Sequence, residues 1–450
     1  MIGYILPFLQ KLTGSSDQGS VRLYTFKEGA KTLTLRFTAL GLGFVSNILL
    51  ARLLGVEGYG IYAYALSCIN LLAVPAVLGL DRLLVRETAI LAERQDWGML
   101  RGLLQWGNSL ALGVTTMLVA VTALIGWWFL TAENAPTVHA VWVALTLLPF
   151  MALTKLRGAT LAGLRQVALA TIPEELVRPV IYITLLAVAY FFLHTQLTAA
   201  DAIRLNLTAF VSGFGVGAWL LWQYLPQEVK SSFPAFHSKE WLGAAFTLSL
   251  LSALHTINLE LRFQMLGILG DARDMGIFAV AVRGADLISI PQLAINAVLA
   301  PLLARFYSEN NMSRLQTVVT KGAQLTLAIT LPIVMVCLIF GEWVMSIFGP
   351  EFSQGASVLS ILCIGGLANA IAGSVGLLLT MTRNEKYAVR SVAITLLLNV
   401  SLNGLLIPRY GAQGAAIAQA TCFIVINMLF MWWANRLIGI RPTAFAGRFW

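Results

Sequence analysis

LELRFQMLGILGDARDMGIFAVAVRGAD, residues Leu259 to Asp286, decides how the rest of the chain is read. An apolar run, Met265–Leu269, leads into a short loop, Gly270–Met275, and a second apolar run follows, interrupted by Arg283 and Asp286. With their flanks, both runs are long enough to cross a bilayer. Glu260, Arg262, Arg283 and Asp286 then stand inside two adjacent spans. There an ionised side chain costs a few kcal/mol unless it faces protein or a wet cavity. Helix rise sets their depth. Arg262 precedes Gly270 by eight residues and Arg283 follows Asp274 by nine, so at ~1.5 Å per residue both lie roughly 12–14 Å below the loop. Glu260 and Asp286 lie slightly deeper. Two readings are open. One is structural ion pairing, Glu260 with Arg262 or Arg283, and Arg283 with Asp286 three residues on. The other is a charged lumen that accepts an anion.

Composition agrees with a membrane setting. The chain is 58% hydrophobic and only 11% charged, where a soluble domain carries about 25% charged residues. The net charge of +9 need not mean nucleic acid, since excess Lys and Arg in cytoplasmic loops gives the same balance. Cys68, Cys337, Cys363 and Cys422 all fall within spans, with no disulfide or metal spacing, and read as small buried residues. No cofactor motif is present. No signal peptide is apparent: Ile2–Leu9 is apolar but short, and polar Thr13–Ser20 follows.

The hydrophobic pattern predicts an all-α polytopic membrane protein with twelve spans. They run near 32–53, 59–80, 103–130, 138–156, 172–193, 203–225, 241–269, 275–301, 318–340, 355–381, 387–407 and 412–435. Pro75, Pro149, Pro179, Pro291 and Pro332 fall inside spans, where they are tolerated and can bend the helix. With the N-terminus inside, most of the thirty lysines and arginines lie on one face. Only Arg52, Arg204, Arg273 and Arg409 lie on the other, and Arg36, Arg178, Arg262 and Arg283 stay within spans. That bias predicts a multi-pass membrane protein with both termini cytoplasmic. Trp127–Trp128, Trp222, Trp241, Trp343 and Trp432–Trp433 sit near span ends, as an interfacial belt requires. Asp81–Arg101 alternates charged and apolar residues and reads as an amphipathic helix on the membrane surface.

The two halves repeat. Gly60-Ile-Tyr-Ala63 is followed by Pro75, and Gly276-Ile-Phe-Ala279 by Pro291, each proline fifteen residues after its glycine. This predicts two six-helix lobes related by a pseudo-two-fold along the membrane normal, around a central cavity that holds the binding site near mid-membrane. The expected organisation is a cytoplasmic or interfacial tail at 1–31, an N-lobe at 32–225, a linker at 226–240, a C-lobe at 241–437 and a cytoplasmic tail at 438–450.

Several of these stretches are similar to the polysaccharide, or lipid-linked oligosaccharide, flippases of the multidrug/oligosaccharidyl-lipid/polysaccharide exporter superfamily. They are Leu50-Ala-Arg-Leu-Leu-Gly-Val-Glu-Gly-Tyr-Gly-Ile-Tyr62, Leu78-Gly-Leu-Asp-Arg-Leu-Leu-Val-Arg-Glu87 and Phe348-Gly-Pro-Glu-Phe352. Asn399-Val-Ser-Leu-Asn403 and Ile407-Pro-Arg-Tyr-Gly-Ala-Gln-Gly-Ala-Ala416 complete the set. The resemblance implies a two-lobed transporter, not an enzyme. Its substrate would be an undecaprenyl-pyrophosphate-linked oligosaccharide, moved from the inner to the outer leaflet for O-antigen, capsule or exopolysaccharide synthesis. Polysaccharide-assembly proteins are possible partners, and H+ or Na+ a possible coupling ion.

Pyrophosphate oxygens suit the planar fork of arginine. Arg262 and Arg283 are the headgroup candidates, with Arg36 at the cytoplasmic mouth and Arg178 as a further candidate. Bland alternatives stand beside each. Arg36 reads equally as a snorkelling interfacial residue. Arg178 reads as the partner of Glu174 or Glu175, after a capping box at Thr171-Ile-Pro-Glu174. Glu260 and Asp286 are the candidates for ion coupling. His255 and Asn258 share a face of span seven with Arg262 and, with Asn47, are the polar cavity candidates. Asn108, Gln292, Asn296, Asn369 and Gln419 read better as inter-helix hydrogen-bonders. A cation-coupled multidrug exporter of the same superfamily is the alternative function. It would favour acids and aromatics in its cavity. A membrane polymerase or ligase acting on lipid-linked sugars fits less well, because the short outward loops offer few catalytic groups beyond residues such as Glu133, His139 and His194.

Overall fold

The computed structural model describes residues 19–129, 135–193 and 197–446. The tail ahead of Gly19, Glu133, His194 and residues 447–450 lie outside the described residues, as do the side chains of Trp127 and Trp128. Among the described residues the chain is helical with no strand.

Eight helices are long and apolar enough to cross a membrane, and the bent helix Ser238–Leu269 makes a ninth. Two of the eight are hairpins. Helix Gly19–Val77 breaks at Gly55, where φ is +66°, and helix Glu385–Ile438 breaks at Gly411, where φ is +49°. Tyr59 Oη donates to Asn47 Oδ1 at 2.8 Å across twelve residues, which an unbroken helix would hold ~18 Å apart along its axis. Cys422 Sγ similarly lies 3.8 Å from the Thr395 carbonyl oxygen, where a straight helix would separate the two residues by about 40 Å. The chain therefore doubles back at both glycines, the residue that takes up positive φ without steric penalty. Residues 167–193 form one more leg, helical throughout with π-turns at Pro173–Val177 and Ala189–Leu193.

The result is twelve spanning legs, as the hydrophobic pattern predicts. We number them α1 (19–54), α2 (55–77), α3 (Trp97–Phe129), α4 (Pro136–Gly163), α5 (167–193), α6 (Ala199–Tyr224), α7 (Ser238–Leu269), α8 (Ala272–Ser308), α9 (Met312–Ile339), α10 (Pro350–Ala372), α11 (385–410) and α12 (411–438). The start of α1 and the end of α12 share one face, the terminal face. The tight turns at Gly55, Gly270 and Gly411 lie at the opposite, hairpin face.

The largest buried cluster holds α2 against α8. Tyr59, Ile69, Phe278, Val280, Phe348 and Phe352 are its bulky, fully buried members. The α9–α10 turn closes it at the hairpin face: Phe348 meets Phe44 edge-on at 5.4 Å, and Phe352 meets Tyr59 at 6.2 Å.

Two surface expectations are corrected. Helix Leu80–Glu93 is amphipathic, but its apolar face is buried in protein, with Leu80, Leu83 and Leu84 packed among Leu100, Leu103 and Leu156. Trp241 is no belt residue. It is buried in the same cluster, 5.4 Å from Trp106, because α7 enters over helix Leu80–Glu93 rather than beside lipid. Trp222 and Trp343 are exposed, as expected. The connection Pro226–Glu240 is tied to the start of α3: Arg101 donates to the carbonyls of Lys230 and Ser232, and Ala235 N–H to that of Gly98.

Candidate functional site

A cavity of about 490 Å³ lies between α1, α5 and α8. Its polar wall is Arg36 and Asn47 from α1, Glu174, Glu175 and Arg178 from α5, and Arg283 and Asp286 from α8. Its apolar wall includes Leu40, Phe44, Leu287, Ile290 and Leu293. Along α8 these residues run from mid-helix towards the terminal face, and Arg36 stands nearest that face on α1. At the hairpin end the cavity stops against the packed Phe44, Phe348, Tyr59 and Phe352.

The local sequence explains this wall. Pro173 has no N–H to give and Pro179 lacks one too, so the ordinary i→i−4 ladder of α5 is interrupted. The helix widens into a π-turn over Pro173–Val177. Such turns recur at functional sites. Here the turn carries two consecutive carboxylates into the cavity. The expected capping box at Thr171 does not form: Thr171 Oγ1 donates to the Ala168 carbonyl, and the helix runs on.

Charge pairing inside the cavity differs from the local pairing expected. Arg36 Nε lies 3.9 Å from Glu175 Oε1, across two helices. Arg283 Nη1 reaches Asp286 Oδ2 at 3.4 Å, as the i,i+3 spacing predicts. Arg178 pairs with neither Glu174 nor Glu175. Its guanidinium lies over the Phe210 ring, 4.3 Å from the centroid, and no salt bridge joins it to a carboxylate among the described residues. A ring face holds a cation while leaving its N–H groups free to bind elsewhere.

The other candidates are placed outside this cavity. Arg262 is 9% exposed. It sits between the rings of Phe263 and Phe278, 5.2 and 5.8 Å from their centroids, and its Nε is buried without an acceptor. Among the described residues Glu260 forms no salt bridge with either Arg262 or Arg283, the two partners left open by the sequence. Glu260 instead accepts from Asn70 Nδ2 at 3.1 Å, and its carbonyl accepts from Ser67, both on α2. Equal depth did not give Arg262 and Arg283 one environment, because residues on successive legs at one level can point to different neighbours. Asn258 is held by Asn399 Nδ2 at 2.6 Å, on α11. His255 is exposed away from the cavity lining. Of the three polar candidates only Asn47 lines it, and its Oδ1 is taken by Tyr59.

Gln292 and Asn369 join helices, as expected, and Asn427, not singled out in the sequence, completes the network. Asn369 Nδ2 donates to Gln292 Oε1 at 2.6 Å and Asn427 Nδ2 to Asn369 Oδ1 at 3.0 Å. Glu174 and Glu175 were the missed cavity residues. Two adjacent acids within a span, between two prolines, were the signal that could have identified them.

Comparison with known proteins was made against this geometry. The sequence pattern of a family described as polysaccharide biosynthesis protein matches residues 26–307, and that of the MatE family matches residues 249–405. The chain is 22% identical over 404 residues to a putative O-antigen transporter of Shigella flexneri, covering 87% of this chain and 93% of that protein. It is 25% identical over 178 residues to a probable low-salt glycan biosynthesis flippase, Agl15, of Haloferax volcanii; that match spans 39% of this chain and 38% of the relative's length. The fold is that of a multidrug resistance MATE family transporter of the MOP superfamily in its inward-facing conformation. The TM-score is 0.73 at 16% identity, covering 89% of this chain and 94% of the other.

Proposed function

The chain belongs to the polysaccharide biosynthesis protein family, and from that premise we propose that it is a flippase for undecaprenyl-pyrophosphate-linked oligosaccharides. It moves them from the inner to the outer leaflet of the bacterial cytoplasmic membrane, with both termini cytoplasmic. The observation that carries this reading is the α1–α5–α8 cavity. An anionic headgroup on an apolar chain needs arginine forks beside an apolar wall. The cavity supplies Arg36, Arg178 and Arg283 beside Leu40, Leu287, Ile290 and Leu293. At about 490 Å³ it is the size of a small-molecule site. It takes the pyrophosphate and the first sugar, and the remaining glycan extends towards the open end.

Arg178 makes the first headgroup contact, since it alone of the three has no carboxylate partner. Arg283 and Arg36 exchange Asp286 and Glu175 for phosphate oxygens. Arg262 supplies positive potential from behind. Glu260 and Asp286 couple the cycle to H+ or Na+. Transport proceeds by alternating access, with lobes 32–225 and 241–437 rocking about the cavity and 226–240 connecting them.

The test is flipping of a fluorescent lipid-linked oligosaccharide in proteoliposomes, with the covalent structure of the donor checked by mass spectrometry. Movement of the intact donor supports the proposal. No movement, or a changed donor, overturns it. The MatE match over 249–405, with three carboxylates in the cavity, favours a cation-coupled multidrug exporter as the second reading. Efflux of organic cations without lipid flipping would select it.

A further inference from the structure

Lys386, Arg390 and Arg436 lie on the α11–α12 hairpin at the terminal face and differ from Arg86 and Arg305 there. Arg86 pairs with Glu87 and Arg305 with Glu309. Lys386, Arg390 and Arg436 are exposed, and no hydrogen bond or salt bridge is made by them among the described residues. Their contacts are aromatic. Lys386 Nζ lies 5.1 Å and Arg390 Cζ 5.5 Å from the Tyr387 centroid, and Arg436 Cζ lies 5.3 Å from that of Trp432. The rings form one continuous aromatic cluster: Tyr387 lies tilted against Trp433 at 4.3 Å, and Trp433 meets Trp432 edge-to-face at 4.3 Å.

A cleft of about 590 Å³ adjoins the cluster. Trp432, Met431, Asn435, Pro442, Thr443 and Phe445 are among its lining residues. The segment after α12 is fixed in place. Ile440 and Ala444 are buried, Ala444 N–H donates to the Ile371 carbonyl, and Gln324 donates to the Ala444 carbonyl. The cleft is therefore built into the fold.

We infer that this end of the α11–α12 hairpin binds a bilayer phospholipid with a net negative headgroup. The phosphate sits among Lys386, Arg390 and Arg436, and part of an acyl chain lies in the cleft beside Trp432. Three features select this ligand. Cations near the membrane surface attract anionic lipid. Trp and Tyr place the cluster at headgroup level. Ring faces hold the cations in position while leaving their N–H groups turned outward. The site is separate from the α1–α5–α8 cavity and does not depend on what that cavity carries.

The experiment uses the purified full chain in detergent, with bound lipid counted by native mass spectrometry. Phosphatidylglycerol should be retained at least about ten-fold more than phosphatidylcholine. The triple variant K386Q/R390Q/R436Q should lose that preference. A second triple variant at the same face, R305Q/R314Q/K321Q, should keep it. Trp432→Leu, which leaves every charge in place, should weaken retention as well. Equal retention of the two lipids would overturn the site, as would an unchanged preference in K386Q/R390Q/R436Q or in Trp432→Leu. Two further arms separate the sources of phosphate. Displacement of phosphatidylglycerol by inorganic phosphate alone, or stronger retention of a polyprenyl pyrophosphate, would overturn the assignment to bilayer phospholipid.

Discussion

Gly60 on α2 and Gly276 on α8 meet at the hairpin end of the molecule. A Cβ built on Gly60 would overlap the carbonyl oxygen of Ala272, and one built on Gly276 would overlap that of Val56. Each glycine thus faces the carbonyl four residues before the other. This reciprocity is what a two-fold axis produces where it passes between two copies of one motif. Only glycine permits backbones this close, as in small-residue contacts between membrane helices. The repeated Gly-Ile-Tyr/Phe-Ala sequence therefore marks the crossing of the two lobes.

Gly60→Ala and Gly276→Ala should each force the crossing apart, with overpacking destabilising by about 1–3 kcal/mol. Gly41→Ala is the matched control, because a Cβ there meets nothing within 4 Å. Melting of the purified proteins should fall for the first two and hold or rise for the third. If all three melt alike, the close crossing does not stabilise this conformation.

Arg178→Ala and Arg283→Ala should abolish flipping while the protein remains inserted, and Arg→Lys should recover only part, since charge returns without the fork. A charged hydrogen bond is worth about 1.5–3 kcal/mol, so each loss should be at least about ten-fold. Arg262 should behave differently. Arg262→Met keeps the packing on Phe263 and Phe278 and removes a buried Nε without an acceptor, so its melting should match or exceed that of the parent. Flipping should fall less than at Arg178. A complete loss at Arg262 with normal activity at Arg178 would reverse the roles assigned to them.

Glu260→Gln retains a carbonyl oxygen for Asn70 and should fold normally, while Asp286→Asn removes the charge beside Arg283. Together they should uncouple flipping from an imposed H+ or Na+ gradient in proteoliposomes. Full gradient dependence in the double variant would place coupling on other residues, with Glu174 and Glu175 the next to replace.

Asn369→Leu should lower stability by about 1–3 kcal/mol, the effect of leaving a buried polar group unsatisfied. Gln292 Oε1 would lose its donor, and Asn427 Nδ2 would keep only the Phe423 carbonyl as acceptor. Because the network joins α8, α10 and α12 away from the cavity, the apparent affinity for substrate should not change. A changed affinity with unchanged melting would argue for a binding role instead.

The sequence determined the number of legs and where each lies, because bilayer thickness fixes span length whatever the helices pack against; the ends it missed most are those of α1, which starts at 19 rather than 32, and α10, which ends at Ala372 rather than 381. It also determined the Arg283–Asp286 pair, since i,i+3 spacing is a local property. It placed Arg262 and Arg283 at one depth by helix rise alone. Helix rise says nothing about rotation relative to distant neighbours. Only the tertiary structure decided that Arg283 lines the cavity, that Arg262 lies between Phe263 and Phe278, and that Glu260 turns to Asn70. The same limit hid the role of α5. Two adjacent acids between Pro173 and Pro179 were visible, but the π-turn that directs Glu174 and Glu175 inward, and the Phe210 ring that takes Arg178 from them, depend on packing against α1 and α6. Local sequence fixed what each leg could be, and contacts between legs far apart in the chain fixed which way each charge points.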